Sequence, residues 1–214
     1  CLSLLVVLPF AMMAAKAGEI GWAAFWQTIA EPNVLAAVWL SLRMSFYAML
    51  TNIVFGTLVA WVLVRYEFPG KNLVNALVDL PFALPTAVTG IALATLYAPN
   101  GWLGRWFAPF DIKIAFTPIG IWIALVFVSL PFIVRAVQPV LEELPAEYEE
   151  AAATLGAGRF TALRRVLLPE IMPALLTGSG MMFARATGEY GSVIFIAGNI
   201  PMVSEILPLI ITGK

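Results

Sequence analysis

Side chains able to do chemistry are few in this 214-residue chain, and many of them crowd into one stretch. There are 12 Lys and Arg, 13 Asp and Glu, one Cys and no His. With Cys1 alone and no His, the chain holds no disulfide framework, no CxxC redox site and no His/Cys metal site. No GxxxxGK[ST] loop occurs, so nucleotide hydrolysis by that route is excluded. The only basic cluster, Arg164-Arg165, is no footprint for nucleic acid, and the net charge of −1 favours no partner. The exception to this sparseness is residues 142–169, a polar and charged element set between two long apolar segments.

That element is punctuated at fixed offsets. Glu150-Ala151-Ala152 is followed by three residues and Gly156, then by nine residues and Val166-Leu167-Leu168-Pro169. Pro145 suits the first position of a helix. Glu147, Glu149 and Glu150 suit its first turns, where the helix dipole favours negative charge. Ala151, Ala152 and Ala153 are strong helix formers, and Gly156 is a stop of the kind found just past a helix end. A second short helix over 160–168 would carry Phe160, Leu163 and Leu167 on one face, with Arg164 and Arg165 off that stripe. Pro169 is expected to end it. A charge run is usually a solvated face. Here the spacing of glycine and proline favours a stiff helix-turn-helix that touches something outside the apolar segments.

What must position this element is lipid-soluble. The chain is 61% hydrophobic and 12% charged, with a mean hydropathy of +0.92, where a soluble domain carries about 25% charged residues. The expected fold is all-α, a polytopic transmembrane helical bundle forming one domain over 1–214. The first apolar run, 2–15, is shorter than the about 20 residues a span needs, so it reads as a span that has lost its beginning. Residues 16–33, with Trp22, Phe25 and Trp26, read as an amphipathic helix on the bilayer surface. Further spans are expected at 34–64, at 73–97 with Pro81 and Pro85 inside, at 119–141 and at 171–197. A run from 206 begins a sixth, so five of an expected six spans are visible. With the N-terminus inside, six Lys/Arg (Arg65, Lys71, Arg135, Arg159, Arg164, Arg165) face the cytoplasm and four (Lys16, Arg105, Lys113, Lys214) lie outside. This margin favours a cytoplasmic N-terminus and a cytoplasmic 142–169 element.

The 150–169 spacing resembles the EAA loop of bacterial ABC-importer permeases, with Val166 where Ile is commoner. Three further stretches, 79–88 (Asp79-Leu80-Pro81-Phe82 onward), 100–104 and 188–201, resemble the sulfate/thiosulfate permeases of that family, the T subunits in particular. The related molybdate permeases are similar in the last stretch and usually differ in the middle one. The resemblance implies a type I ABC importer permease in the bacterial inner membrane. It implies a coupling loop in which Glu150, Ala151 and Gly156 form the docking core, framed by Ala152, Leu168 and Pro169. Implied partners are a cytoplasmic ABC ATPase dimer that binds ATP and Mg, and a second permease subunit, the sibling W-type sulfate permease being the expectation. A periplasmic sulfate/thiosulfate-binding protein and the lipid bilayer complete the set. No cofactor is implied for this chain itself. A molybdate or tungstate permease is the first alternative. An integral-membrane enzyme, the alternative of another class, lacks His, a second Cys or a facing carboxylate pair, and a passive channel needs no lever.

Arg43, Arg185 and Glu189 fall at membrane depth, where each costs about 2.5–3.5 kcal/mol on insertion scales and so needs water or a partner. Arg43 either reaches the outer surface or offers positive potential to an anion in transit; the reach of long side chains favours the surface. Arg185 and Glu189, four apart, either pair on one helix face or stand in the pathway. Ala184, Gly188 and Ser192, also at steps of four, would form a seam within this subunit or with a second permease. Pro81 and Pro85 could hinge a gate, though such prolines more often only shape a bundle.

Overall fold

Gly21 and Pro85 mark two of the breaks between helices, whereas Pro131 and Pro139 lie inside one. The computed structural model describes residues 2–19, 21–145 and 147–213, and all the regular structure among them is helical. Helix α1 (Leu2–Glu19) runs on past Lys16, beyond the expected boundary, with Pro9 in its interior. Gly21, at φ 82°, separates it from α2 (Trp22–Ile29). On α2 the rings of Trp22, Phe25 and Trp26 lie within 6 Å of one another and are exposed, as interfacial aromatics are.

Among the described residues, three helices are long and apolar enough to cross a membrane: α3 (Pro32–Arg65), α8 (Pro118–Glu143) and the helix over Leu163–Thr187, whose regular part is α11 (Leu168–Thr187). They pack against one another, with α8 in the middle. Its buried Ile121, Leu125, Val128, Ile133, Val134, Val137 and Leu141 recur at helical spacing. All of these but Val128 share one core with Ala48, Ala60 and Leu63 of α3, and with Ile171, Leu175 and Met182 of α11. The approaches are close. A Cβ at Gly56 of α3 would lie 2.7 Å from the Ile133 side chain, and one at Gly178 of α11 would lie 2.7 Å from Ala136. Small residues admit such approaches where lipid supplies no hydrophobic drive.

The expected span over 73–97 is not one helix. It is α4 (Lys71–Val78), α5 (Leu80–Ala83) and α6 (Thr86–Tyr97). Leu84, the residue before Pro85, is extended at φ −84°, ψ 137°, because the proline ring disfavours the helical region for its predecessor. The expected span over 171–197 also stops short. Helix α11 ends at Thr187 with Gly188 as cap, and α12 (Val193–Ile196) follows a turn. Inside that turn the Glu189 carboxylate accepts from the Ser192 N–H and hydroxyl, each at 2.9 Å, a local bonding pattern that competes with helix. Helix α12 packs on α6 and α8, and α13 (Leu207–Gly213) packs on α3. Short α7 (Gly104–Phe107) sits in the polar stretch before α8.

Candidate coupling loop and its anchorage

The charged element forms two arms. The first is α9 (Glu147–Thr154). It ends in Gly156 at φ 82°, with the Ala157 N–H donating to the Ala152 carbonyl at 3.0 Å. This is the left-handed glycine closure in which the N–H of the residue after the glycine picks up an orphan carbonyl. Nothing lies within 4 Å of a Cβ built on Gly156, so backbone conformation alone selects glycine there. Glu150 and Ala151 are exposed on α9, and Ala152 is half-buried.

The second arm departs from expectation. Pro169 does not end it. Helix α10 (Arg159–Ala162) winds through a π turn (Leu163–Leu167) directly into α11. The Leu168 N–H donates to the Leu163 carbonyl five residues back. Pro169 therefore falls in the first turn after the register slip, where its missing N–H is tolerated. Leu167 is buried and Leu163, Arg164 and Arg165 are exposed, while the Phe160 side chain lies outside the described residues. Leu168 is half-buried and Pro169 exposed. The second arm is thus a continuous extension of a long apolar helix, and any push on it is carried along that helix. An open apolar groove of about 850 Å³ lies between this arm and Ile53, Leu58 and Trp61 of α3.

Two arginines that entered the sequence reading only as positive charges anchor the root of the loop. Arg65, last residue of α3, donates to the carbonyls of Leu141 and Leu144, both at 3.1 Å. A cation at the last carbonyls of α8 also opposes the negative end of that helix dipole. Arg135 of α8 uses every N–H of its guanidinium. Its Nε and Nη2 hold the two Asp79 oxygens at 2.8 and 2.6 Å. Its Nη1 donates to Asn75 Oδ1 at 2.8 Å and Gln138 Oε1 at 2.5 Å, and Nη2 also reaches the Asn75 carbonyl at 2.9 Å. Gln138 in turn donates to Glu142, where the loop begins, at 2.9 Å. One signal could have found the site: Asn75 and Asp79 are four apart, and Asp79 follows an apolar helix.

The membrane-depth charges are distributed differently. Arg185 and Glu189 form an ion pair, with Glu189 buried and Arg185 about a third exposed. Glu189 sits past the end of α11 rather than on its face. With Ser192 as its other partner, Glu189 is fully engaged. Arg43 is exposed on α3 and lies beside the Tyr47 ring, donating to its hydroxyl at 3.2 Å. The seam expected at Ala184, Gly188 and Ser192 is not a helix face. Ala184 is exposed, Gly188 caps the helix, and Ser192 is buried beyond it. The buried face of α11 runs instead through Gly178, Ser179, Met182 and Ala186. A polar residue that no motif marked, Asn52, is fully buried between the long helices and donates to the Val126 carbonyl at 2.9 Å.

Residues 52–213 match a family described as "Binding-protein-dependent transport system inner membrane component". A sulfate transport system permease protein CysT from Escherichia coli K12 is 51% identical over 97% of this chain and 75% of its own length. A CysT from Synechocystis is 52% identical over 98% of this chain and 73% of its own. The fold is similar to that of a bacterial ABC transporter involved in import of the acidic polysaccharide alginate. The TM-score is 0.77 at 15% identity, covering 98% of this chain and 79% of that one.

Proposed function

Because the chain belongs to the family of binding-protein-dependent transport system inner membrane components, we propose that it is the membrane-spanning permease subunit of an ATP-driven importer for sulfate or thiosulfate. The oxyanion rests on the relatives, which are named sulfate permeases and align along nearly the whole chain. The mechanism rests on one observation: the 142–169 element is a capped two-arm lever rooted by Arg65 and continuous with α11.

The lever supports a division of labour. A cytoplasmic ABC ATPase dimer binds ATP and Mg and hydrolyses the nucleotide. Glu150, Ala151 and Gly156 dock on it, with Ala152, Leu168 and Pro169 framing the contact. Closure of the dimer displaces α9, and the unbroken second arm passes that displacement into α11. A second permease subunit, the sibling W-type permease, supplies the other half of the pathway. A periplasmic sulfate- or thiosulfate-binding protein delivers the anion. The N-terminus lies on the cytoplasmic face, which puts the loop on the same side as the ATPase.

Uptake of radiolabelled sulfate in cells lacking this subunit tests the reading. Expression of the chain with its partner subunits should restore uptake, and excess molybdate should compete poorly. No restoration, or transport of molybdate alone, would sink it.

A further inference from the structure

We propose that Arg135 is the positioning residue that carries displacement of the coupling loop to the proline break at 79–85, and so sets how much anion moves per ATP hydrolysed. This rests on the permease reading above. The observation is a continuous polar chain. Glu142, at the root of the loop, accepts from Gln138 at 2.9 Å; Gln138 accepts from Arg135 at 2.5 Å; Arg135 holds Asp79 through two bonds and Asn75 through two more.

The geometry suits transmission better than mere support. All five guanidinium donors are filled, so the planar group cannot rotate without breaking several charge-assisted bonds at once. Its partners lead into the break: Asn75 is on α4, one turn before Asp79, which stands between α4 and α5. Past the break, α6 is wedged against the 188–192 turn. A Cβ on Gly191 would lie 3.0 Å from Thr86 Cβ and nearer still to its hydroxyl. A shift of α8 therefore moves the break, and the break moves the start of α6 against the turn that holds Glu189. Irregular backbone at membrane depth persists only where it is buried in protein or lines a cavity. A broken helix beside a second irregular turn is where a pathway can open without unravelling a long helix.

The test uses the whole transporter: this chain, its second permease subunit, the ATPase and the binding protein, reconstituted in proteoliposomes. Sulfate uptake and ATP hydrolysis are measured together. Arg135→Lys keeps the charge but cannot form the two-pronged bond to Asp79, and Asp79→Asn keeps the shape but not the charge. Each should raise the ATP consumed per anion about tenfold, while the double variant adds little more, as expected of one shared interaction. A merely structural clamp would lower hydrolysis, uptake and the amount of assembled complex in proportion; that result, or an unchanged ratio, overturns the proposal. Wild-type uptake is measured first with sulfate and with molybdate. Absence of both would remove the permease reading and this proposal with it, whereas wild-type uptake with an unchanged ratio in the variants removes the clamp alone.

Discussion

Replacing Gly90 with alanine should pry α6 from the turn at 188–192. A Cβ at Gly90 would stand 2.8 Å from Ser192 Cα and 2.9 Å from its carbonyl carbon, and closer again to the carbonyl oxygen. These are backbone atoms, so no flexible side-chain end can yield. Ser192 is itself fully buried and tied to Glu189, so the turn cannot shift without disturbing the ion pair to Arg185. Overpacking a close-packed site costs about 1–3 kcal/mol. In a domain of this size each kcal/mol moves the melting temperature by about 2–4 °C, so a fall of about 2–12 °C is expected. The control is Gly180→Ala. Gly180 is on helix α11 with nothing within 4 Å of an added Cβ, and mid-helix Gly to Ala gains about 0.5–1 kcal/mol. Thermal unfolding of the detergent-solubilised protein, followed by tryptophan fluorescence, compares the two. If both variants melt alike, the close packing of α6 on the turn is not what holds that region together.

Gly156→Pro should abolish uptake while leaving the subunit in the membrane, because proline is locked near φ −65° and the site requires φ 82°; unchanged uptake would count heavily against the lever. Gly156→Ala meets no steric neighbour and should cost only the left-handed penalty of about 1–2 kcal/mol, read as a small loss of uptake. Arg185→Gln strands a buried carboxylate and should lower thermal stability by about 1–3 kcal/mol, less than a fully buried pair because the arginine is part-exposed. Arg185→Gln combined with Glu189→Gln should recover much of that stability; normal sulfate uptake in the double variant would exclude the pair from the pathway. Lys71→Ala breaks an ion pair with Glu67, whose carboxylate is largely exposed, and should shift stability by about 0.5 kcal/mol or less; a larger loss would mean the turn after α3 depends on it.

Solvent and fold class were legible from composition and periodicity, and the machine from the resemblance of the 150–169 loop. Apolar composition points to lipid, and the segments of α3 and α8 are far longer than the about ten residues of a membrane strand, so helix is the form that satisfies their backbone groups within the segment. Gly156 was legible as a helix stop because the left-handed conformation past a helix end favours glycine, and the full spacing from Glu150 to Pro169 marked the loop through its resemblance to the EAA loop. Tertiary structure alone decided the rest. Whether Pro169 breaks a helix depends on the winding just before it, and the π turn at Leu163–Leu167 absorbed it. Whether Ala184, Gly188 and Ser192 share a face depends on whether the helix survives to Ser192, and the Glu189 turn ends it first. Arg65 and Arg135 look like any positive-inside charges in one dimension. Their partners, Leu141 and Leu144 for one and Asp79 for the other, are more than fifty residues away along the chain. Periodicity and capping are local physics and legible in order along a chain; an ion pair across helices exists only once packing has chosen which faces meet.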